Sequence, residues 1–383
     1  MSNIPLPLTA EQITPTWLAA VLGFPVESIV VARTMKGTAD KIFLTVKYQS
    51  TDQNGKWPRR ICIKGCFNPE LAKDIPPLKD FCRVEAQFFR TVMPTLGSME
   101  FPKCFGTRVN QEQGIVVMED LRDKGYTFGD PEVILSVEQV KDGVAQLAAL
   151  HAGTWGRSRA DYPWMTPYEK TMNDMFDAEG VDYDQMARDP ARYKLPEQYR
   201  NGKFARAMLN RYFSRPTNRF QCLVHGDAHV GNTCFSPDGE VGFIDWQIVD
   251  SRPPFHDLSY FTASALSIDD RRKHEMEILQ HYLDCLDSYG GPKLSTLERD
   301  VMIEYKLGFL VGMGWTVTTT CMQTIKRINA HLERFMAALV DHKVADLVEA
   351  LPEPDLNSVT GRESDIKKDM GAVSSVQTTL AEV

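Results

Sequence analysis

The chain has 383 residues and a formal charge of −8, from 43 Lys and Arg against 51 Asp and Glu, with 43% hydrophobic and 10% aromatic residues. That composition excludes wholesale disorder, collagen-like repeats and coiled coil, and the acidic balance excludes a protein whose main business is coating nucleic acid or an anionic membrane. The length suggests two or three core units, and the eight cysteines, with no C-x-x-C pair, read as dispersed thiols of a reducing compartment.

The first twelve residues lack a basic start followed by an apolar core, so no secretory signal is expected and the protein reads as cytoplasmic. Thr9-Ala-Glu-Gln12 fits a capping box that opens a short helix through Trp17, Leu18 and Leu22. The period then becomes two: Ile42, Leu44, Val46 and Tyr48 alternate with Phe43, Thr45 and Lys47. Asp52–Lys56, with its Asn54-Gly55 dipeptide, reads as a hairpin turn leading to a strand at Arg60–Lys64. Further strands are expected at Ser28–Met35, Lys103–Val109 and Ile115–Met118. Phe81, Val84, Phe88 and Val92 have helical spacing. Residues 1–117 therefore read as a five-stranded sheet with one helix packed on it.

Beyond Leu121 the pattern is helical. Val137–His151 shows an apolar face at Val140, Val144, Leu147 and Ala148. Gln221–Val224 and Val241–Asp245 are short strands, and helices follow to about Leu351. The tail 352–383 is polar without sustained apolar period and reads as disordered. Leu307–Ile325 carries no charge and contains Gly308-x-x-x-Gly312, features of a spanning helix. Its threonines, its glutamine and its isolation favour a helix buried in a soluble lobe. The fold class expected is α+β, with residues 1–117 forming a small lobe, 118–121 a hinge and 122–351 a larger, mainly helical lobe.

The densest polar cluster is His225-Gly-Asp-Ala-His-Val-Gly-Asn232, followed by Phe243-Ile-Asp-Trp-Gln247. Asp227 and Asn232 lie on a loop leaving a strand, and Asp245 ends a strand that can return to the same mouth. Two carboxylates and a carboxamide suit a hard cation such as Mg²⁺ and leave one carboxylate free to accept a proton. An alternative is a metal-dependent hydrolase in which His225, Asp227 and His229, with Asp245, His256 and Asp257, supply a dinuclear site. That alternative leaves Lys64 and Asn232 without a role.

The Asp-x-x-x-x-Asn spacing followed by an aspartate is the phosphoryl-transfer layout of kinases. With its His-Gly-Asp-x-His-x-Gly-Asn and Ile-Asp-Trp strings, the chain resembles the aminoglycoside phosphotransferase and choline kinase-like superfamily. Trp155, following Leu150-His151-Ala152, and Asp257-Leu-Ser-Tyr-Phe261 are similar to the ecdysteroid kinase-like branch. The resemblance implies a bilobal protein kinase-like fold and ATP- and Mg²⁺-dependent transfer to a hydroxyl of a small molecule. It implies Asp227 as base, Asn232 and Asp245 as Mg²⁺ ligands, and Lys64 as the phosphate-holding lysine, with Glu85 its partner. Cys62 shares the face of Lys64, which places it in the adenine roof. Met118, Glu119, Asp120 and Leu121 match the hinge whose backbone meets adenine, and Asp257 the aspartate that braces the loop. His225 and His229 read as structural supports of that loop.

Two departures stand out. The phosphate-covering turn is only Lys36-Gly37-Thr38-Ala-Asp-Lys41, without a full Gly-x-Gly-x-x-Gly, which leaves a pseudokinase or nucleotide-binding scaffold as a further alternative. Gly226 stands where regulated protein kinases carry arginine, and Asp245 and Asp257 are only 12 positions apart. Both favour a small-molecule kinase without an activation loop. Residues 155–185 and 305–325 are the expected acceptor walls. Aromatics with acids there would suit an amine and aromatics with the apolar run a lipophilic alcohol; the branch resemblance favours the alcohol. Nucleic acid and membrane are not expected partners, and the oligomeric state stays open.

Overall fold

Alternating apolar residues in the first third of the chain pair into one antiparallel sheet. The computed structural model describes residues 5–49, 57–74, 77–99, 102–215, 217 and 219–351. The turn expected at Asp52–Lys56 and the tail 352–383 lie outside the described residues. Helix α1 (Pro15–Leu22) precedes strands β1 (Val26–Met35), β2 (Asp40–Tyr48) and β3 (Arg60–Gly65). Helices α2 (Pro69–Asp74) and α3 (Pro77–Thr91) lead to β4 (Cys104–Val109) and β5 (Gly114–Glu119), and the sheet order is β1-β2-β3-β5-β4.

Period two sends Ile42, Leu44, Ile61, Ile63, Ile115 and Val117 to one face, where Trp17, Leu18, Val21 and Leu22 of α1 cover them. Phe43, Cys62, Val116 and Met118 face the other way, toward Val84, Phe88 and Phe89 of α3. Two helices thus cover the sheet where the sequence pattern indicates one. The start of α1 also differs from expectation. Residues Ala10–Gln12 form a lone 3-10 turn without a side-chain cap, and Thr14 caps the helix by accepting from Trp17 N at 3.1 Å. Pro15 explains the shift, because a proline favours a first helical turn and blocks a helix arriving from before it.

The rest is mainly helical: α4 (Val137–Gly153), α5 (Tyr168–Phe176), α6 (Tyr183–Met186), α7 (Gly202–Ser214), α8 (Phe255–Ala265), α9 (Ile268–Ser288), α10 (Arg299–Gly308), α11 (Gly314–Val317), α12 (Ile325–Asp341) and α13 (Val344–Glu349). Five short strands interrupt it. β6 (Thr127–Phe128), β8 (Thr233–Phe235) and β9 (Val241–Phe243) form one sheet, and β7 (Cys222–Val224) pairs with β10 (Asp250–Arg252). The segment after Asp245 is therefore used to pair β10 with β7, which leaves no room for an activation loop. The arrangement is the α+β, kinase-like one expected.

The uncharged run 307–325 becomes the end of α10, a 3-10 segment at Phe309–Met313, α11 and a loop. Its glycines serve close packing. A Cβ on Gly308 would stand 2.2 Å from the Phe255 carbonyl oxygen, and one on Gly312 2.2 Å from the Phe335 ring. Among the described residues no helix is long and apolar enough to cross a membrane.

Candidate active site

The loop that leaves β7 is built around Gly226. Its φ of +85° is open to glycine, and an added Cβ would lie 2.2 Å from the Ile248 carbonyl oxygen. Helix α8 holds this loop from beneath. The Asp257 carboxylate accepts from His225 N at 2.6 Å and Gly226 N at 3.0 Å, and His151 Nε2 lies 3.2 Å away. Ser264, two turns along the helix, accepts from Val230 N at 2.9 Å. Asp257 is fully buried. Burial works to raise its pKa, but His151, through its hydrogen bond and its charge, together with His256 and His225 outweighs it and keeps the carboxyl below its usual range.

Asp227 projects from the loop with a carboxylate held at both oxygens. Asn232 Nδ2 donates to Oδ2 at 3.0 Å and to the Asp227 carbonyl at 2.9 Å, while Tyr260 Oη donates to Oδ1 at 3.2 Å. With its nitrogen so engaged, Asn232 has its amide oxygen left for a cation. His225 donates from Nε2 to the Ile244 carbonyl at 2.9 Å and accepts from Asp227 N at Nδ1, 3.2 Å away. His229 accepts from Gly231 N at Nδ1, 3.0 Å, and burial pushes its pKa down. Both imidazoles are thus tied to backbone.

Ile244 N donates to the Asn232 carbonyl at 2.9 Å, which brings Asp245 beside the loop. Asp245 itself sits at φ +71°, a strained setting for a residue with a side chain. Across the cleft, Lys64 Nζ lies 2.8 Å from Asp245 Oδ1 and 2.7 Å from Glu85 Oε2. Lys41 Nζ approaches Asp245 Oδ2 at 3.9 Å. Glu85 also accepts from Trp246 N at 3.1 Å, so one glutamate on α3 ties β3 to the 244–246 segment. Burial works to depress Lys64, but Asp245 and Glu85 outweigh it and raise its pKa. Burial likewise works to raise Asp245, but Lys64 and then Lys41 hold it well below its ordinary value, so it is ionised. Glu85, wholly enclosed, is pushed upward by burial against the pull of Lys64.

These side chains border a cleft of about 520 Å³, with Cys62, Met118, Glu119, Asp120 and Leu121 along its other walls. Burial pushes the Cys62 thiol up to about 12, which keeps it an inert apolar wall. The Glu119 carboxylate accepts from Lys103 N at 2.7 Å and Asp120 from Arg122 N at 3.1 Å, so both side chains are used locally. In the β1–β2 turn, Thr38 Oγ1 donates to Gln247 Oε1 at 3.0 Å, fastening the turn to the segment after Asp245. A Cβ on Gly37 would meet only the Ala39 carbonyl, at an ordinary 3.5 Å, so that glycine is not sterically required.

Four contributors escaped the sequence reading: Lys41, Trp246, Gln247 and Tyr260. Tyr260 carried a usable signal, because it stands three positions after Asp257 and so on the same helical face. The acids Asp174, Asp177, Asp182 and Asp184 are engaged with Lys170, Arg206, Gln185 N and Gly202 N respectively. Tyr168, Phe176 and Tyr183 are buried core. The expected acceptor wall at 155–185 is therefore largely packing. Among the described residues no three His, Cys, Asp or Glu side chains converge as a metal-ligand group, so the geometry does not assemble the dinuclear hydrolase site. One carboxylate and one amide oxygen instead suit a cation that keeps several waters, as Mg²⁺ does.

Solved structures similar to this chain include choline kinase LicA from Streptococcus pneumoniae, at 15% identity and TM-score 0.47, covering 85% of this chain and 98% of that one. A microcompartment-associated aminopropanol kinase follows at 13% identity and TM-score 0.49, covering 88% and 98%. Spectinomycin phosphotransferase in complex with ADP and spectinomycin follows at 12% and 0.43, covering 91% and 99%. No curated protein matches the chain in sequence. The model of the ecdysteroid kinase-like family matches residues 41–289, which include strands β3–β5 and nearly all of β2, the residues bordering the cleft and the whole 225–257 constellation. The protein belongs to the ecdysteroid kinase-like family.

Proposed function

We propose that the protein transfers the γ-phosphoryl group of Mg·ATP to a hydroxyl of a small molecule. The observation that carries this reading is the meeting of Lys64, Glu85 and Asp245 within 2.8 Å across the cleft, beside a loop that presents Asp227. Lys64, kept charged by two carboxylates, is the group to hold the phosphates. Asp227 has lone pairs left after accepting from Asn232 and Tyr260, and takes the proton of the acceptor hydroxyl as its oxygen attacks the γ-phosphorus and the bond from that phosphorus to the β–γ bridging oxygen breaks, releasing ADP. Glu85 orients Lys64, and Met118–Leu121 offer backbone at the cleft edge for a nucleobase. Asp245 and the Asn232 oxygen would hold Mg²⁺, which supplies charge neutralisation of the phosphates. Positioning and electrostatics account for most of the barrier reduction in such transfers.

Asp174 and Asp177 are paired with Lys170 and Arg206, which lowers the negative charge that those two offer a cationic acceptor and favours an uncharged one. Asp227→Asn should lower turnover about 10²–10⁴-fold while Mg·ATP affinity stays within a few-fold. The measurement is ATP consumption across a panel of hydroxylated metabolites, with mass spectrometry for the added phosphate. Undiminished turnover in Asp227→Asn would sink the assignment. Mg·ATP binding without turnover against any acceptor would instead support the nucleotide-binding scaffold.

A further inference from the structure

We propose that Tyr260 and Trp315 are positioning residues that aim the Asp227 carboxylate, through a relay from the Trp315 indole to the Tyr260 hydroxyl to Asp227. The proposal rests on the reading of Asp227 as the base. Trp315 Nε1 lies 2.9 Å from Tyr260 Oη, and Tyr260 Oη lies 3.2 Å from Asp227 Oδ1. The direction of both bonds follows from chemistry. An indole N–H can only donate, so the Tyr260 oxygen accepts from it and its single proton is left for the carboxylate. The relay therefore runs one way, and always ends with a donor on Asp227.

Both members are locked by packing. The Tyr260 ring stacks on Phe335 with centroids 5.0 Å apart and an interplanar angle of 24°. The Trp315 ring stacks on His331 at 4.0 Å and 27°, with His229 edge-on at 5.3 Å. His331 is buried, and neither of its ring nitrogens has a hydrogen-bond partner among the described residues. Burial, seconded by His229, Arg334 and Arg327, keeps that imidazole neutral, so Trp315 stacks on an uncharged ring. Burial, seconded by the Asp227 charge, pushes the Tyr260 phenol well above its ordinary value, so it retains the proton it donates.

The result is a carboxylate gripped from two separate elements. Asn232 in the loop takes Oδ2, and Tyr260 on α8 takes Oδ1. Two donors on two oxygens fix the plane of the group as well as its place. Oriented groups of this kind lose about 10²-fold in rate when displaced by roughly 1 Å. A phenylalanine at 260 would keep the stack on Phe335 and remove only the aim.

The test uses Mg·ATP with water as the acceptor, following phosphate release, in Tyr260→Phe, Trp315→Phe, the double variant and Asp227→Asn. Tyr260→Phe should lose about 10–100-fold in kcat with the KM for ATP within about twofold. Trp315→Phe should lose several-fold. The double variant should match Tyr260→Phe alone, because the Trp315 N–H reaches Asp227 only through the Tyr260 hydroxyl. Losses that multiply, or a raised KM at unchanged kcat, mark a general packing role and overturn the relay. A crystal structure of Tyr260→Phe is the second measurement: Asp227 should rotate away from its place, and an unmoved Asp227 overturns the proposal even if turnover to water is too slow to follow. Asp227→Asn separates the two claims. If it retains turnover, the base assignment fails; if it is inactive while Tyr260→Phe is fully active, the relay alone fails.

Discussion

Replacing Asp257 by alanine tests whether α8 holds the 225–232 loop. The carboxylate accepts from His225 N, Gly226 N and His151 Nε2, all in the interior, at 2.6, 3.0 and 3.2 Å. Alanine leaves three donors without an acceptor, each worth about 1–3 kcal/mol. A water entering the vacated space and the relieved desolvation of the carboxylate offset part of this, so the expected loss is about 4 kcal/mol. For a chain of this length that corresponds to a fall in Tm of about 5 °C. Asp257→Asn retains one acceptor oxygen but turns an NH₂ toward a donor, so it should fall between wild type and alanine, at about 2 kcal/mol. The assay is guanidinium unfolding at pH 7, with the melting temperature measured alongside. The pH dependence has a defined sign. The folded-state pKa of Asp257 lies below the unfolded value, so its contribution is complete above about pH 4 and disappears as the pH falls through the folded value. Both variants should therefore be less acid-sensitive in that window. An alanine variant within about 0.5 kcal/mol of wild type would refute the reasoning.

Gly226→Ala places a Cβ 2.2 Å from the Ile248 carbonyl oxygen at a φ of +85°, and should cost at least about 2 kcal/mol, read as a fall in melting temperature. An equally stable variant would mean that the turn can relax. Lys64→Met leaves Glu85 and Asp245 without their shared cation and should weaken Mg·ATP binding at least about tenfold by calorimetric titration, with a stability loss of about 3–5 kcal/mol. Unchanged affinity would remove Lys64 from the nucleotide site. Thr38→Val breaks the bond to Gln247 and should leave the melting temperature within about 1 °C, since Thr38 lies on an exposed turn. A larger fall would show that the turn contributes to holding the 244–247 segment.

How much of this was legible in the sequence depends on how local the information is. Lys64 and Cys62 share a face because a strand has period two, and Glu85 lies beside the apolar stripe of α3 because a helix has period 3.6. The spacing of Asp227, Asn232 and Asp245 was enough to bring them to one mouth. Contacts through backbone were not legible: nothing in the order of residues says that Trp246 N donates to Glu85. For Tyr260 the sequence shows only that it shares a helical face with Asp257, since its hydroxyl meets Asp227 only once α8 and the 225–232 loop are docked. The aromatic residues of 155–185 show the opposite failure, because a periodic aromatic set looks the same whether it lines a site or fills a core. Thr9 lost the cap to Thr14 because Pro15 overrode a plausible capping box.

Asp257, Tyr260 and Ser264 lie at i, i+3 and i+7 on α8, and each holds a different part of the same loop. Every residue of that helix is buried. Such a loop cannot open by itself: to release the amides of His225, Gly226 and Val230, α8 must also leave the core. Their deuterium exchange should therefore be as slow as that of the α8 amides, unlike the fast exchange usual for connecting segments, and should rise with theirs as denaturant is added. The functional loop and the hydrophobic core would then be one cooperative unit, so that core-loosening substitutions far from the cleft erode activity and stability together.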